Sequence, residues 1–218
     1  MTPLAPFLQI DAIQSYRARA HGVRDLSAVT AVELMRMTRD TGVRCHLVGG
    51  WGVDALIGRQ TRLHDDLDLA YESVPGSGKV LELAFSKRGY HRVSLEEVPH
   101  ALFSVRVLLA DGQGRSLDLL PILPFDRSAP FEQPAESGRV ALPHIPQEAF
   151  VVGSLGRRSA PMAVSCLSAD FQLASRQAYE LRPSDRHDLA RILRLKKGTA
   201  RRSGAPRTWT VARHRSSR

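Results

Sequence analysis

The stretch from Gly49 to Leu69, GGWGVDALIGRQTRLHDDLDL, constrains the fold of this chain more than any other part of the sequence. It opens with a glycine pair directly after the apolar run from Val43 to Val48, and it ends with aspartates alternating with leucines. Residues two apart in a strand point to the same face, so Asp66 and Asp68 are expected to project together while the leucines enter a core. The stretch therefore predicts a strand, a tight turn, a short helix and a second strand with two carboxylates on one face.

Two carboxylates on one face repel each other unless a cation lies between them. Mg²⁺ prefers oxygen ligands and is commonly held by one or two carboxylates together with the phosphates of a substrate. A third carboxylate, Asp118, lies in the segment RSLDLLPI, which is predicted to form a strand after the turn DGQG. If that strand lies next to the strand of Asp66 and Asp68, the three aspartates Asp66, Asp68 and Asp118 form a catalytic site that holds two Mg²⁺ ions.

The glycine pair predicts a phosphate-binding turn. Gly49 and Gly50 lie where the first strand passes into a short helix predicted from Trp51 to Ile57. Glycine lets the backbone approach a ligand closely, and the free N–H groups at a helix start attract phosphate. We therefore expect Gly49, Gly50 and Trp51, with Arg62 from the polar loop that follows, to bind a nucleoside triphosphate. A phosphate cradle followed by paired carboxylates is the layout of a nucleotidyl-transfer centre.

These motifs resemble a known group of enzymes. The run GGWGVDALIGR followed by TRLHDDLDL is similar to the aminoglycoside 2″-adenylyltransferase and lincosamide nucleotidyltransferase families of the DNA-polymerase-beta-like nucleotidyltransferase superfamily. The resemblance extends from about His46 to Tyr71, with further likeness around Asp118 and from Val164 to Leu193. It implies an α+β fold, in which helices flank a mixed central β-sheet and a small helical segment lies at the C-terminal side.

The resemblance also implies an activity: transfer of AMP, or another NMP, from ATP or another nucleoside triphosphate to a hydroxyl of a small-molecule antibiotic. A homodimer that closes the acceptor site is implied in the same way. One departure is visible, because the family often has a polar residue, frequently histidine, two places after the third aspartate, where this chain has Leu120. A polycationic aminoglycoside would need a cavity lined by carboxylates, for which the available glutamates are Glu72, Glu96, Glu97, Glu132 and Glu136.

The net charge of +9 at first suggests a nucleic-acid partner, but its distribution along the chain does not favour one. Eight of the lysines and arginines lie in residues 196–218, which contain no acidic residue, so residues 1–195 carry a charge of only +1. The basic tail still leaves two alternatives open. One is a nucleotidyltransferase whose acceptor is a protein or a tRNA, and the other is a non-catalytic module that binds RNA or a nucleotide.

The predicted organisation has four parts: an N-terminal extension (1–24), a nucleotidyltransferase domain (25–165), C-terminal helices packed on it (166–195) and a disordered basic tail (196–218). Cys45 and Cys166 lie far apart in apolar surroundings, which is typical of core residues in a protein of the reducing cytoplasm. No signal peptide or apolar run of membrane-spanning length is evident, so no membrane partner is expected.

Other segments have structural interpretations. A helix is predicted that is capped by Asp25 or Ser27, runs to about Thr41 and is ended by Gly42. Its core stripe is expected to consist of Leu26, Val29, Val32 and Met35. A strand is predicted from Tyr90 to Ser94, and Glu96 and Glu97 are assigned to a solvated loop after it. His64 is assigned either to an exposed loop or to a role in orienting the site. Asp185 and Asp188 are interpreted as helix caps and ion-pair partners of arginines close in sequence, namely Arg182, Arg186 or Arg191. The proline-rich segment 121–146 is a candidate for part of the acceptor wall.

Overall fold

The computed structural model describes residues 26–98, 102–126, 141–157, 159–177 and 179–203, with side chains described as far as residue 198. Its helices in chain order are α1 (Ala28–Thr41), α2 (Gly49–Ile57), α3 (Ser77–Ser86), α4 (Ala169–Ser175) and α5 (Pro183–Ser203). Its strands are β1 (Cys45–Leu47), β2 (Asp66–Glu72), β3 (His91–Glu97), β4 (Val105–Ala110), β5 (Ser116–Ile122), β6 (Phe150–Arg157) and β7 (Ala160–Leu167). A 3-10 turn, Gln147–Ala149, precedes β6.

The described strands form one mixed sheet in the order β3-β4-β5-β2-β1-β7-β6. At its centre β2 runs parallel to β5, and Asp68 lies directly opposite Asp118 in the register. The predicted adjacency of these two strands is therefore confirmed. β4 and β5 form the predicted hairpin, whose turn is held by Asp111: its side-chain oxygen Oδ1 accepts hydrogen bonds from the backbone N–H groups of Gln113 (2.9 Å) and Arg115 (3.0 Å).

The two faces of the central strands differ in chemistry, as the alternating pattern of β2 predicts. Leu67 and Leu69 lie fully buried in the main core, where they join residues of β5, α1 and α3. Asp66, Asp68 and Asp118 lie on the opposite face, beside a smaller apolar cluster that includes Val48, Phe103, Leu120 and Leu167. The fold thus exposes its carboxylates on one side of the sheet while the helices α1 and α3 cover the other. The mixed α+β architecture expected from the resemblance is confirmed.

Helix α1 begins and ends where its capping residues predict. The Ser27 side chain accepts a hydrogen bond from the Thr30 N–H (3.2 Å), and Gly42 ends the helix with a left-handed φ of 75°. The predicted core stripe was partly wrong, because Val29 is 53% exposed. The buried face is formed instead by residues 31, 34, 35 and 38, which are spaced by three and four residues and therefore lie on one side of a helix.

The predicted ends of β3 and α5 both differ from the structure. Strand β3 continues through Glu97, so Glu96 belongs to a strand and is buried, and its assignment to a solvated loop was wrong. Helix α5 continues to Ser203, so the first eight residues of the tail predicted to be disordered (196–203) are helical. The 1–24 extension, the rest of the tail and residues 127–140 of the proline-rich segment lie outside the described residues. Within the described part, no helix is both long and apolar enough to cross a membrane.

Candidate functional site

A cavity of about 580 Å³ lies between the carboxylate face of the sheet and the C-terminal helices. Its volume falls within the range of small-molecule sites, about 300–1,000 Å³. Its charged and glycine residues are Gly49, Gly50, Arg62, Asp65, Asp66, Asp68, Arg106, Asp118, Arg176, Arg182, Asp185 and Asp188. The structure therefore brings together the three predicted catalytic aspartates, the glycine pair and Arg62 around one space.

The three aspartates act on one another electrostatically. Burial raises the pKa of the Asp68 carboxyl well above its usual range, and the charges of Asp66 and Asp118 raise it further. Arg182 and Arg106 act in the opposite direction on the pKa of Asp68. A bound divalent cation would relieve this repulsion, and carboxylate oxygens suit Mg²⁺, so the donor set fits the predicted metal. Among the described residues, no three acidic, histidine or cysteine side chains already converge as a preformed metal site.

The raised pKa of Asp68 leads to a pH-dependent prediction for the metal-free protein. The folded state holds the Asp68 proton more tightly than the unfolded chain does, where the pKa is near 3.8. Stability is therefore lost as the pH rises from about 3.8 through the higher folded-state pKa. Asp68→Asn mimics the protonated form, so its free energy of unfolding in EDTA should exceed that of the wild type increasingly as the pH rises through this window. Urea titrations across the pH range measure the difference, and a difference that does not change with pH would contradict the prediction.

The first glycine of the pair provides room for the Asp68 carboxylate. Gly49 has a φ of +57°, and a Cβ at this position would lie 1.7 Å from Oδ2 of Asp68. Helix α2 begins at Gly49 itself and not at Trp51 as predicted, so the glycine pair forms the first turn of the helix. The free N–H groups at this helix start and the carboxylates of β2 therefore lie in close proximity.

The second glycine of the pair allows two basic side chains to approach the helix. A Cβ on Gly50 would lie 2.3 Å from Nη2 of Arg62 and 2.7 Å from Nδ1 of His64. His64 is 1% exposed, and its Nε2 lies 2.7 Å from Oδ2 of Asp54, a residue that the sequence analysis did not single out. His64 is thus a buried group that supports the glycine turn, and its assignment to an exposed loop was wrong.

Trp51 occupies a different position from the other predicted nucleotide-binding residues. Its side chain is 1% exposed and belongs to the main core, and it does not line the cavity. The indole ring stacks on the imidazole of His64, with 4.4 Å between the ring centroids. The indole therefore anchors helix α2 in the main core, while Gly49 and Gly50 form the side of the turn that faces the cavity.

Arg62 is held by a carboxylate from the far end of the chain. Its Nε and Nη2 donate to the two oxygens of Asp188 at 2.9 and 3.0 Å, and Arg176 donates to Asp188 at 3.2 Å. The ion-pair role predicted for Asp188 is confirmed, but its partners are Arg62 and Arg176 and not the arginines close in sequence. Asp185 pairs with Arg182, as predicted, with Nε donating at 3.0 Å to Oδ2.

Removal of the Asp188 side chain should destabilise the protein strongly. Asp188 is completely buried, and Arg176 is 5% exposed, so Asp188→Ala would leave a buried guanidinium without its carboxylate. The expected loss is about 3 kcal/mol in the free energy of unfolding. Asp170→Ala is the matched control, because it breaks an ion pair with Lys196 at a carboxylate that is 61% exposed, and it should cost less than about 1 kcal/mol. Urea denaturation measures both, and equal losses would refute the buried role of Asp188.

Arg106 is a site residue that the sequence analysis did not single out. It lies on β4, and its Nη1 donates to Oδ2 of Asp118 at 3.2 Å. Its Nη2 donates at 2.5 Å to Glu96 of β3, which in turn accepts a hydrogen bond from the Ser94 hydroxyl. The alternating pattern of β4 could have placed Arg106 beside Asp118. Its pairing with Glu96 could not be predicted, because the predicted strand β3 ended before Glu96.

Comparisons with known proteins agree with this geometry. Residues 30–192 match the family described as aminoglycoside-2″-adenylyltransferase, which is most of the chain. A search of curated protein sequences found no match. The fold is shared with a lincosamide antibiotic adenylyltransferase, LnuA, solved with lincomycin bound: the TM-score is 0.61 at 21% identity over 78% of this chain and 99% of that one.

A second solved structure, ANT(2″)-Ia in complex with adenylyl-2″-tobramycin, aligns with a TM-score of 0.48 at 18% identity over 81% of this chain and 98% of that one. The resemblance drawn from the Gly49–Leu69 stretch is confirmed by the match over residues 30–192, which includes that stretch, Asp118 and Asp188. This chain therefore belongs to the aminoglycoside-2″-adenylyltransferase family.

Proposed function

We propose that this enzyme transfers AMP, or another NMP, from a nucleoside triphosphate to a hydroxyl of an antibiotic of the aminoglycoside or lincosamide type, with release of pyrophosphate. The observation that carries the proposal is the register of β2 and β5, which sets Asp68 directly opposite Asp118 on the cavity face. Gly49 adds to it, since its backbone packs directly against the Asp68 carboxylate at the start of a helix. Family membership supports the same chemistry.

The proposed roles follow from the positions of the residues around the cavity. Asp66, Asp68 and Asp118 would hold two Mg²⁺ ions. When bound, these ions neutralise the charge that develops on the phosphate and lower the pKa of the attacking hydroxyl. The N–H groups at the start of α2 would bind the phosphates beyond the reacting one. Arg62 lies in the cavity wall beside them, oriented by Asp188.

In the proposed reaction, the acceptor oxygen forms a bond to the α-phosphorus while the bond from that phosphorus to the bridging oxygen breaks. The electron pair of the broken bond leaves with pyrophosphate, and the hydroxyl proton passes to a base. Asp118 is our candidate base, because it lies on the side of the site away from α2. Attack in line with the leaving group requires the acceptor to lie opposite the outer phosphates, so the acceptor would bind on the β4–β5 side.

The experiment that tests the proposal is pyrophosphate release from Mg-ATP in the presence of lincomycin or tobramycin, with Asp66→Asn as the blank. Release that depends on a drug and is lost in the variant would support antibiotic adenylylation, and mass spectrometry would identify the modified drug. Replacement of ATP by the other nucleoside triphosphates gives the nucleotide preference. Tight binding of Mg-ATP with no release for either drug would contradict the proposal and would favour the protein or tRNA acceptor.

The expected cellular location is part of the same proposal. Both cysteines of the chain are free thiols, and burial is the main reason that the pKa of each rises to about 12. Thiols of this kind are unreactive core groups and suit a reducing compartment, so we place the enzyme in the cytoplasm. The homodimer implied by the resemblance remains a prediction, which sedimentation equilibrium of the purified protein would test.

A further inference from the structure

The acceptor side of the cavity carries an arginine whose guanidinium is held in place by two carboxylates. Arg106 lines the cavity, and its guanidinium lies between Asp118 on one side and Glu96 on the other. Glu96 is 6% exposed and does not line the cavity, so it holds the guanidinium from behind while the Arg106 side chain stays 25% exposed. An arginine in such a setting remains charged at every pH of interest. Any acceptor that reaches Asp118 must therefore pass close to this cation.

The rest of the same wall is apolar. Leu120 follows Asp118 by two residues on β5 and so faces the cavity. Val98 and Phe103 also line the cavity and pack with Leu120 in one cluster. A wall of this composition contacts an apolar part of a ligand favourably, and apart from Asp118 its described residues offer no carboxylate to an ammonium group.

The carboxylates that line the described part of the cavity already have partners or a proposed role. Asp185 and Asp188 accept hydrogen bonds from Arg182, Arg62 and Arg176. The three aspartates of β2 and β5 would hold the metal ions. Asp65 is one further carboxylate of the described lining, whereas a polycation would need several. Glu72, Glu96 and Glu97, which the sequence analysis offered as acidic lining, do not line the cavity, and Glu132 and Glu136 lie outside the described residues.

We propose that the acceptor of this enzyme presents an apolar face and a neutral or anionic polar group to the β4–β5 wall, and that Arg106 excludes polycationic aminosugars. This inference rests on the proposed function for the location of the acceptor beside Asp118. It assigns to Arg106 a specificity-determining role. The acceptor class proposed for this chain therefore differs from the aminoglycoside in the description of its family. Lincomycin, with one basic nitrogen, is the model acceptor of the favoured class, and tobramycin, with several, is the model of the excluded class.

The first test is drug binding to the full chain, measured by calorimetry with Mg²⁺ and a non-hydrolysable ATP analogue present. Lincomycin is expected to bind at least about tenfold more tightly than tobramycin, because a fixed cation a few ångströms from an ammonium repels it by roughly that factor. Equal or tighter binding of tobramycin would overturn the proposal. Failure of both drugs to bind would overturn it as well, since the wall would then not be a surface for an acceptor of this class.

The second test removes the positive charge of Arg106 without leaving Glu96 buried and unpaired. The double variant Arg106→Gln/Glu96→Gln neutralises both partners of the ion pair and so avoids a buried unpaired carboxylate. It should raise the affinity for tobramycin relative to lincomycin several-fold, because the positive charge that lines the cavity is lost while the negative charge lost with it lies behind the cavity wall. The readout is the ratio of the two affinities. Both drugs share the same nucleotide and metal site, so damage to that site lowers both affinities equally and leaves their ratio unchanged. An unchanged ratio would refute the role of Arg106.

The matched control is Arg92→Gln/Glu82→Gln. Arg92 on β3 and Glu82 on α3 form an ion pair of the same kind, with hydrogen bonds of 3.0 and 2.6 Å, and neither residue lines the cavity. This variant should leave the ratio of drug affinities unchanged. The two hypotheses also fail separately. Lincomycin that binds while neither drug receives a nucleotide would refute the proposed function, whereas nucleotidylation of tobramycin with higher kcat/KM than lincomycin would uphold that function and refute the acceptor class.

Discussion

Asp68→Asn is expected to lower turnover with Mg-ATP by about 10³-fold or more, while the fold is retained. Asp68 is the carboxylate at the centre of the site: it lies opposite Asp118 on the neighbouring strand, and Gly49 packs against it. The amide has almost the same shape as the carboxylate, but it lacks the charge that would bind a divalent cation. The loss is therefore one of electrostatic stabilisation of the transition state and not of packing.

Two measurements separate this loss from unfolding. Without Mg²⁺ the variant should be at least as stable as the wild type, because the substitution removes the repulsion by Asp66 and Asp118 that raises the Asp68 pKa. With Mg²⁺ the wild type should gain stability, by about 2.7 kcal/mol at a concentration one hundred times Kd, and the variant should gain much less. Asp40→Asn, an exposed aspartate on α1, is the control with unchanged turnover. Wild-type turnover in Asp68→Asn would exclude this site as the catalytic centre.

Gly49→Ala should reduce turnover by about 10²-fold and also lower stability. Its Cβ would lie 1.7 Å from Oδ2 of Asp68, so the carboxylate or the start of α2 must move. A displacement of about 1 Å in a catalytic group is enough for a loss of this size. The positive φ adds backbone strain of about 1–2 kcal/mol, since a side chain in the left-handed region crowds the backbone. Steady-state kinetics and urea denaturation measure the two effects separately.

Gly58→Ala, at the other end of the same helix, measures the effect of backbone strain without a steric clash. Gly58 has a φ of +78°, but nothing lies within 4 Å of a Cβ built there. It should lose about the same 1–2 kcal/mol of stability as the strained backbone of Gly49→Ala, with turnover unchanged. If the two variants lose turnover equally, the contact between Gly49 and Asp68 does not position the site.

The sequence predicts those features of the site that depend on residue patterns within short segments. Alternation along β2 places Asp66 and Asp68 on one face, and a turn between two apolar strands brings Asp118 into a hairpin. The need for a third carboxylate led to the expectation that these strands are neighbours, which the register of β2 and β5 confirms. These predictions succeed because side-chain direction in a strand has a period of two and needs no knowledge of the rest of the fold.

The parts that were missed depend on contacts between residues far apart in the chain. Nothing local indicates that Arg62 pairs with Asp188, 126 residues later, and the nearby arginines offered simpler partners. The end of β3 was misplaced because glutamates have low strand preference, and only the ion pair with Arg106 explains the burial of Glu96. Val29 was assigned to the buried stripe of α1 because residue spacing alone does not determine which face of a helix is turned towards the core. Packing against the sheet determines that face.

The bidentate contact of Arg62 with Asp188 determines how this protein can be divided. It joins the loop before β2 to helix α5, across the boundary at residue 165 that the sequence suggested between a catalytic domain and packed helices. A fragment that stops after β7 would lose the carboxylate that orients Arg62 beside the glycine turn. The smallest fragment expected to fold with an intact site therefore extends beyond residue 188, and a chimaera that exchanges the C-terminal helices between relatives must transfer Arg62 and Asp188 together.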